Sequence, residues 1–494
     1  MTVLDSVVYL DYAATTPMSA VALAAYVAAA EQVGNASSLH APGRRARQLV
    51  EDARESIAAD LGAHPSEVVF THGGTEANNL AIKGTFWARN LSGWDISVVE
   101  PVETSAADAA AGRVRRSVAE GRTAISAVEQ GRGATRPSKP PHLRVLVSAI
   151  EHHSVLEPAQ WLRDYQGALL DLIPVDVYGA IDLPYLNENL TDEIAVISVM
   201  LANNEIGTIE PLAQIAELAQ RYHIPVHTDA IAAVGQIPVN FSELGVDMLS
   251  VAAHKVGGPV SAGALLVKRN TPIQGLIHGG GQERNLRAGT LDVPAIAAFA
   301  AALSEAVTNL SGNAHYCHAG LSEGVTSLNG NTHYCHAGLD PASKATTDLP
   351  ANRIATLRDD LVSRILATIP DATLQGPPIA WWLRQTSAAS LVSKPPTPPQ
   401  ELTRLPGNAL FTFDGTTADS LLFLLDQAGI AASAGAACTA GVAEPSHVLL
   451  ACGVPPEQAR GALRFTLGAA TTQADIKRTA ALLPDLVAKA RSAR

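Results

Sequence analysis

Between Leu143 and about residue 270 the chain alternates short apolar, β-branched runs with helical stretches. Leu143–Ile150, Ile194–Leu201, Ile224–Thr228, Met248–Ala252 and Ala264–Val267 read as strands, and Pro211–Tyr222 reads as a helix. Continuous apolar strands separated by helices are buried on both faces in a largely parallel sheet, so the expected fold class is α/β. In such sheets reactive groups lie in loops past the carboxyl ends of the strands. Upstream, Val7–Leu10 and Val68–Thr71 read as further strands. Arg44–Leu61 reads as a helix, with Leu49, Val50, Ala53, Ile57 and Leu61 three and four apart. From Ala409 to Arg494 strand and helix alternate again. The division expected is a large unit over 1–295 and a smaller C-terminal one over 296–494.

Composition narrows the classes of partner. The chain has 494 residues, with 35 Lys+Arg against 47 Asp+Glu and a formal charge of −12. Nucleic acid and anionic lipid both need a basic footprint, so neither is expected as a direct partner. Only 5 Trp, 9 Tyr and 8 Phe are present, so the core is expected to be Ala, Val, Leu and Ile. No uninterrupted apolar run reaches the ~18 residues of a membrane helix. Met1–Tyr12 has no signal-peptide layout. Cys317, Cys335, Cys438 and Cys452 are too few for a disulfide framework. A cytoplasmic setting follows as the expectation.

Three irregular zones, about 93–141, 309–347 and 379–402, read as surface insertions between ordered parts. The second contains a duplication: His315-Tyr316-Cys317-His318-Ala319-Gly320-Leu321 recurs at His333–Leu339. His and Cys can bind zinc, but the spacing is unlike that of zinc modules. An inserted loop is expected there, with no metal.

Four segments carry candidate chemistry. Lys255 follows an apolar strand, where its amine would have a depressed pKa and could form a Schiff base. Asp229 ends a strand and could pair with a protonated pyridine nitrogen. Gly73-Gly74-Thr75 lies between a strand and a helix, where backbone N–H groups can hold a phosphate. His152 follows a strand and could stack on an aromatic cofactor. Taken singly, each has a plainer reading: a surface lysine, a helix N-cap, a turn and a surface histidine.

Taken in order, these segments resemble a fold-type I pyridoxal-phosphate enzyme. The longer motifs Tyr9-Leu10-Asp11-Tyr12-Ala13-Ala14-Thr15-Thr16-Pro17, Phe70-Thr71-His72-Gly73-Gly74-Thr75-Glu76, Asn203-Asn204-Glu205-Ile206-Gly207 and Ala253-His254-Lys255 are similar to the class V aminotransferase signature, and to cysteine desulfurases in particular. Gly279–Arg284, Arg287-Ala288-Gly289-Thr290, Ala437-Cys438-Thr439 and Glu444-Pro445-Ser446 extend the resemblance to nearly the whole chain outside the three zones. It implies a large cofactor-binding domain with a mainly parallel seven-stranded sheet and a smaller α/β C-terminal domain.

The resemblance also implies roles. Lys255 binds pyridoxal 5'-phosphate covalently, His152 stacks on the ring and transfers protons, and Asp229 pairs with the pyridine nitrogen. Asn204 lies near the phenolic oxygen. Gly74, Thr75 and His254 contact the phosphate, with Thr290 reaching in from the partner of a homodimer. Arg464 grips the substrate carboxylate, helped by Asn35. Cys438 attacks the sulfur of L-cysteine, leaving L-alanine and a persulfide for an iron–sulfur scaffold or another sulfur-acceptor protein, in cluster assembly or tRNA thiolation. The Ser/Gly/Ala-rich surroundings of Cys438 resemble the iron–sulfur-cluster type, whereas Cys452 reads as a buried apolar residue. Two positions depart from the pattern: Ala232 replaces a usual glutamine and Ala252 a usual serine. Each removes one cofactor hydrogen bond, worth about 0.5–1.5 kcal/mol. Selenocysteine lyase, aminotransferase, or a weakly active binding paralogue are the alternatives.

Overall fold

The structure is a computed structural model, in which residues 7–91, 142–311, 350–379, 403–435 and 444–492 are described. Cys438, the His-Tyr-Cys-His copies and nearly all of the three irregular zones lie outside the described residues.

The first strand, β1 (Val8–Tyr9), is set apart from the main sheet. That sheet has seven strands: β2 (Val68–Thr71), β3 (Arg144–Ser148), β4 (Leu169–Ile173), β5 (Ile194–Ser198), β6 (Val226–Asp229), β7 (Met248–Ala252) and β8 (Gly263–Val267). Their order is β2-β8-β7-β6-β5-β3-β4. Only β8 runs against the others, pairing antiparallel with both β2 and β7. The sheet is thus mainly parallel, as expected. The strands read from apolar runs fall within a few residues of their expected bounds. The edge strand β4 escaped the pattern because Leu169 and Leu172 are exposed and the segment lacks a continuous buried run.

Helices cover both faces. In the helix Ala41–Asp60 the buried side is Ala46, Val50, Ala53 and Ile57, and truncating Ile57 to Ala would cost about 2–5 kcal/mol. The helix Val293–Ser311 is apolar and long enough to cross a membrane by composition alone. Its Ala295, Ile296, Phe299, Ala302 and Leu303 instead pack into the core of the main sheet. Inside the sheet, His227 on β6 meets the Ser198 hydroxyl of β5 through Nδ1 and the Ser250 hydroxyl of β7 through Nε2, both at 2.9 Å. Burial pushes the His227 pKa down to about 3, so this cross-strand ladder is uncharged.

A second core lies under a three-stranded antiparallel sheet of β9 (Ala372–Leu374), β10 (Asn408–Phe413) and β12 (Ala462–Thr466). Between them β11 (Ile430–Ala431) pairs in parallel with β1. Val8 and Leu10 therefore join the second core although they open the chain. The two cores thus do not follow the chain order: β1 packs in the second core, and the helix Val293–Ser311, which spans the expected division at 295/296, packs in the first.

Candidate active site

Strand direction gathers the candidates. Because β2, β3, β5, β6 and β7 point the same way, the segments that leave their carboxyl ends emerge on one edge of the sheet. β2 leads to Gly74, β3 to His152, β5 to Asn204, β6 ends in Asp229, and β7 leads to Lys255. A cavity of about 860 Å³ opens at that edge, lined among others by Gly74, Thr75, His152, Asn204, Asp229, His254 and Lys255. Arg464, from β12 of the small unit, lines the same cavity.

Each group is held by local structure. Lys255 closes a short 3₁₀ turn, Ala253–Lys255, directly after β7. Its Nζ donates to the Ala13 carbonyl and, at 2.9 Å, to the Ala14 carbonyl. The backbone of the same turn is tied to the N-terminal segment, since Thr16 Oγ1 donates to the Lys255 carbonyl at 3.0 Å. Asp229 is buried and accepts from Asn78 Nδ2 at 2.7 Å and from the Ile231 N–H at 2.9 Å. His152 caps the helix His153–Gln166, its Nδ1 accepting from the Ser154 N–H at 3.1 Å. Burial lowers its pKa most; Lys255, His153 and His447 lower it further, and Asp229 opposes them. His254 is pushed down to about 4 by burial and by the Lys255 charge. Both imidazoles are neutral near pH 7.

Gly74 opens the helix Gly74–Leu91. A Cβ on Gly74 would fall 2.1 Å from Ile231 Cδ1, so any larger residue there would have to push the Ile231 side chain aside. Free N–H groups at that helix start, together with the helix dipole, suit an anion. Arg464 donates through Nη2 to Asp11 Oδ1 at 3.1 Å and through Nη1 to the Asn204 carbonyl at 3.2 Å. Its buried Nε has no partner among the described residues.

Other candidates fall elsewhere. Asn35 is exposed, its Oδ1 accepting from the Ser37 N–H at 2.9 Å, and it is not among the residues that line the cavity. Thr290 is also exposed and outside that lining. Cys438 itself is not described, but Gly435, three residues before it, lines the cavity. Cys452 is buried in an apolar cluster and its thiol is pushed up to about 12, chiefly by burial, in keeping with an inert residue.

The class-V aminotransferase model matches residues 8–120, 121–319 and 396–479. The chain belongs to that family. It is 39% identical over 487 residues to an IscS-like cysteine desulfurase of Mycobacterium tuberculosis, covering 98% of this chain and 97% of that protein. The cysteine desulfurase IscS of Dictyoglomus turgidum is 35% identical over 486 residues, covering 98% and 95%. A solved NifS-like protein matches at TM-score 0.69 and 26% identity over 98% of this chain and all of that one. SspA in complex with cysteine matches at TM-score 0.61 and 26% identity, covering 93% and 98%. These relatives place the chain among the family's cysteine desulfurases.

Both positions that depart from the family pattern, Ala232 and Ala252, line the desulfurase cavity. The sequence reading missed Asn78 and Ser154, which lie behind Asp229 and His152. A signal existed: Asn78 is a polar residue among the buried apolar residues Ala77, Leu80 and Ala81 of its helix. It passed unread because nothing in the sequence pairs it with Ser154, 76 residues away.

Proposed function

We propose that this chain is a pyridoxal-phosphate-dependent enzyme that converts L-cysteine to L-alanine and retains the sulfur as a persulfide on Cys438. One observation carries the reading: Lys255, Asp229, His152, the Gly74 helix start and Arg464 come from five separate segments and line one cavity. Their chemistry suits the cofactor group by group. Lys255 supplies a primary amine, buried Asp229 a carboxylate for a pyridinium nitrogen, and the Gly74–Thr75 helix start N–H donors for a phosphate. Neutral His152 offers a flat ring to stack on.

Bound there, pyridoxal phosphate supplies an aldehyde for the substrate amine and an electron sink that weakens bonds at the substrate's Cα. The remaining work falls to the protein. Arg464, which lines the cavity, offers its guanidinium to the substrate carboxylate. Asp229, buried and fixed by two hydrogen bonds, would accept a hydrogen bond from the protonated ring nitrogen. The Cys438 thiolate attacks the substrate sulfur; an S–S bond forms, the C–S bond breaks, and its electron pair leaves with the carbon that becomes the alanine methyl after protonation. His254, which lines the same cavity, would offer an imidazole N–H to the phosphate. Thr290, exposed on a loop, is assigned to a second copy's phosphate in a homodimer working in the cytoplasm. The persulfide then passes to an iron–sulfur scaffold or another sulfur-acceptor protein.

The test is turnover of L-cysteine by the purified holoenzyme with a thiol reductant. Equimolar alanine and sulfide are expected, and Cys438→Ala should abolish both while leaving the cofactor's absorption in place. Sulfide release at the unsubstituted rate in that variant would overturn the assignment of the nucleophile.

A further inference from the structure

Behind the cavity, one side-chain amide joins two of its functional groups. Asn78, fully buried in the helix Gly74–Leu91, donates through Nδ2 to Asp229 Oδ2 and to Ser154 Oγ, both at 2.7 Å. A carboxylate only accepts, so the NH₂ side of the amide must face it, and its second hydrogen then reaches the hydroxyl. With its oxygen accepting from Asn78, Ser154 turns its own hydrogen to His152 Nδ1, 2.8 Å away. The Ser154 backbone N–H points to the same nitrogen at 3.1 Å. Nδ1 faces two donors and must be the acceptor, which leaves the ring's proton on Nε2.

We propose that Asn78 and Ser154 are positioning residues: the single amide fixes the Asp229 carboxylate and, through the Ser154 hydroxyl, locks His152 in its Nε2–H tautomer. The direction of the His152 pKa agrees, since a neutral ring is what two converging donors require; the charged or titratable neighbours acting on it are Asp229, Lys255, His153 and His447. Asn78 also bears a cost. Its Oδ1 is buried with no partner among the described residues, and an apolar residue on this helix face would avoid that penalty. The arrangement therefore serves the two groups it holds rather than the packing. It makes His152 a fixed donor through Nε2, and ties its orientation to that of Asp229.

The inference rests on the proposed function for its consequences but not for its geometry. Protein labelled with ¹⁵N-histidine, with His152 assigned by its loss in His152→Gln, reports the tautomer without cofactor. Nδ1 unprotonated and Nε2 protonated is expected; a proton on Nδ1 overturns the proposal. In Ser154→Ala the Nδ1 resonance should move toward that of an acceptor with one donor fewer. Asn78→Ala should move it the same way, although Asn78 does not touch the ring. An unmoved resonance in Asn78→Ala, with the fold intact by circular dichroism, overturns the relay. In the holoenzyme the same variant should weaken cofactor retention roughly tenfold through Asp229. A protein that binds no cofactor would sink the functional reading, while the tautomer measurement would still decide this one.

Discussion

Two arginines, Arg54 partly buried and Arg464 buried, face carboxylates in different parts of the molecule, and they are satisfied to different degrees. Arg54, beside the main sheet, meets Glu283 with two parallel bonds of 2.9 and 2.7 Å, and also donates to the Val68 carbonyl. Glu283 in turn accepts from the Phe70 N–H at 2.8 Å, and the guanidinium lies 4.7 Å from the Phe70 ring centre. Arg464, in the cavity, has one contact to Asp11 and one to a carbonyl, with Nε left over. The saturated pair is architecture. It holds a turn in which Glu283, Arg284 and Asn285 have φ of 47°, 58° and 63°, a run that L residues adopt only when their surroundings impose it. Arg464 instead lines the cavity, and each of its Nη groups carries a second hydrogen that can meet a ligand.

The sharpest break of this comparison is Arg54→Ala. It leaves Glu283 buried without its counter-charge, so a loss of about 3–5 kcal/mol is expected in urea unfolding. Arg464→Lys comes next. It should lower kcat/KM for cysteine about 10–100-fold, the value of a bidentate charged contact, with little change in unfolding midpoint. If the two variants exchange phenotypes, the distinction between architecture and ligand site fails.

Buried groups without counter-charges give a third contrast. Burial raises the Glu210 pKa to about 8, against an ordinary 4.5. The folded state then holds a proton that the unfolded state has released between those values, so stability falls as pH rises through that window. His227 acts in the opposite sense: the unfolded state gains a proton below 6.5 that the folded state refuses down to about 3, so stability falls on acidification. Glu210→Gln should flatten the alkaline loss by up to about 1.4 kcal/mol per pH unit, read from thermal unfolding between pH 7 and 8. An unchanged slope would assign that loss to other groups. The smallest effect is expected from Arg163→Ala. Its pair with Asp164 is solvent-exposed, and neither melting temperature nor turnover should move.

The same contrast separates what could be read in the sequence from what could not. Lys255, Asp229, His152 and Gly74 were legible because strand ends and glycine-rich turns mark them locally, and parallel strand direction then brings them together. Met248–Ala252 and Val68–Thr71 are buried on both faces and were bounded correctly by their apolar runs alone. The pairing of β1 with β11 was not legible, because the two short strands are separated by about 420 residues and neither is patterned. Nor was the Asn78–Ser154 contact, or Arg54 with Glu283, 229 residues apart. Long-range polar pairs leave no period in the chain, and only the fold reveals them.

The central claim is that the amine after β7 anchors the cofactor. Borohydride reduction of the purified holoenzyme, followed by peptide mass spectrometry, tests it most directly. The account predicts a reduced pyridoxyl phosphate adduct on the peptide containing Lys255. An unmodified Lys255, or an adduct confined to another lysine, would contradict it.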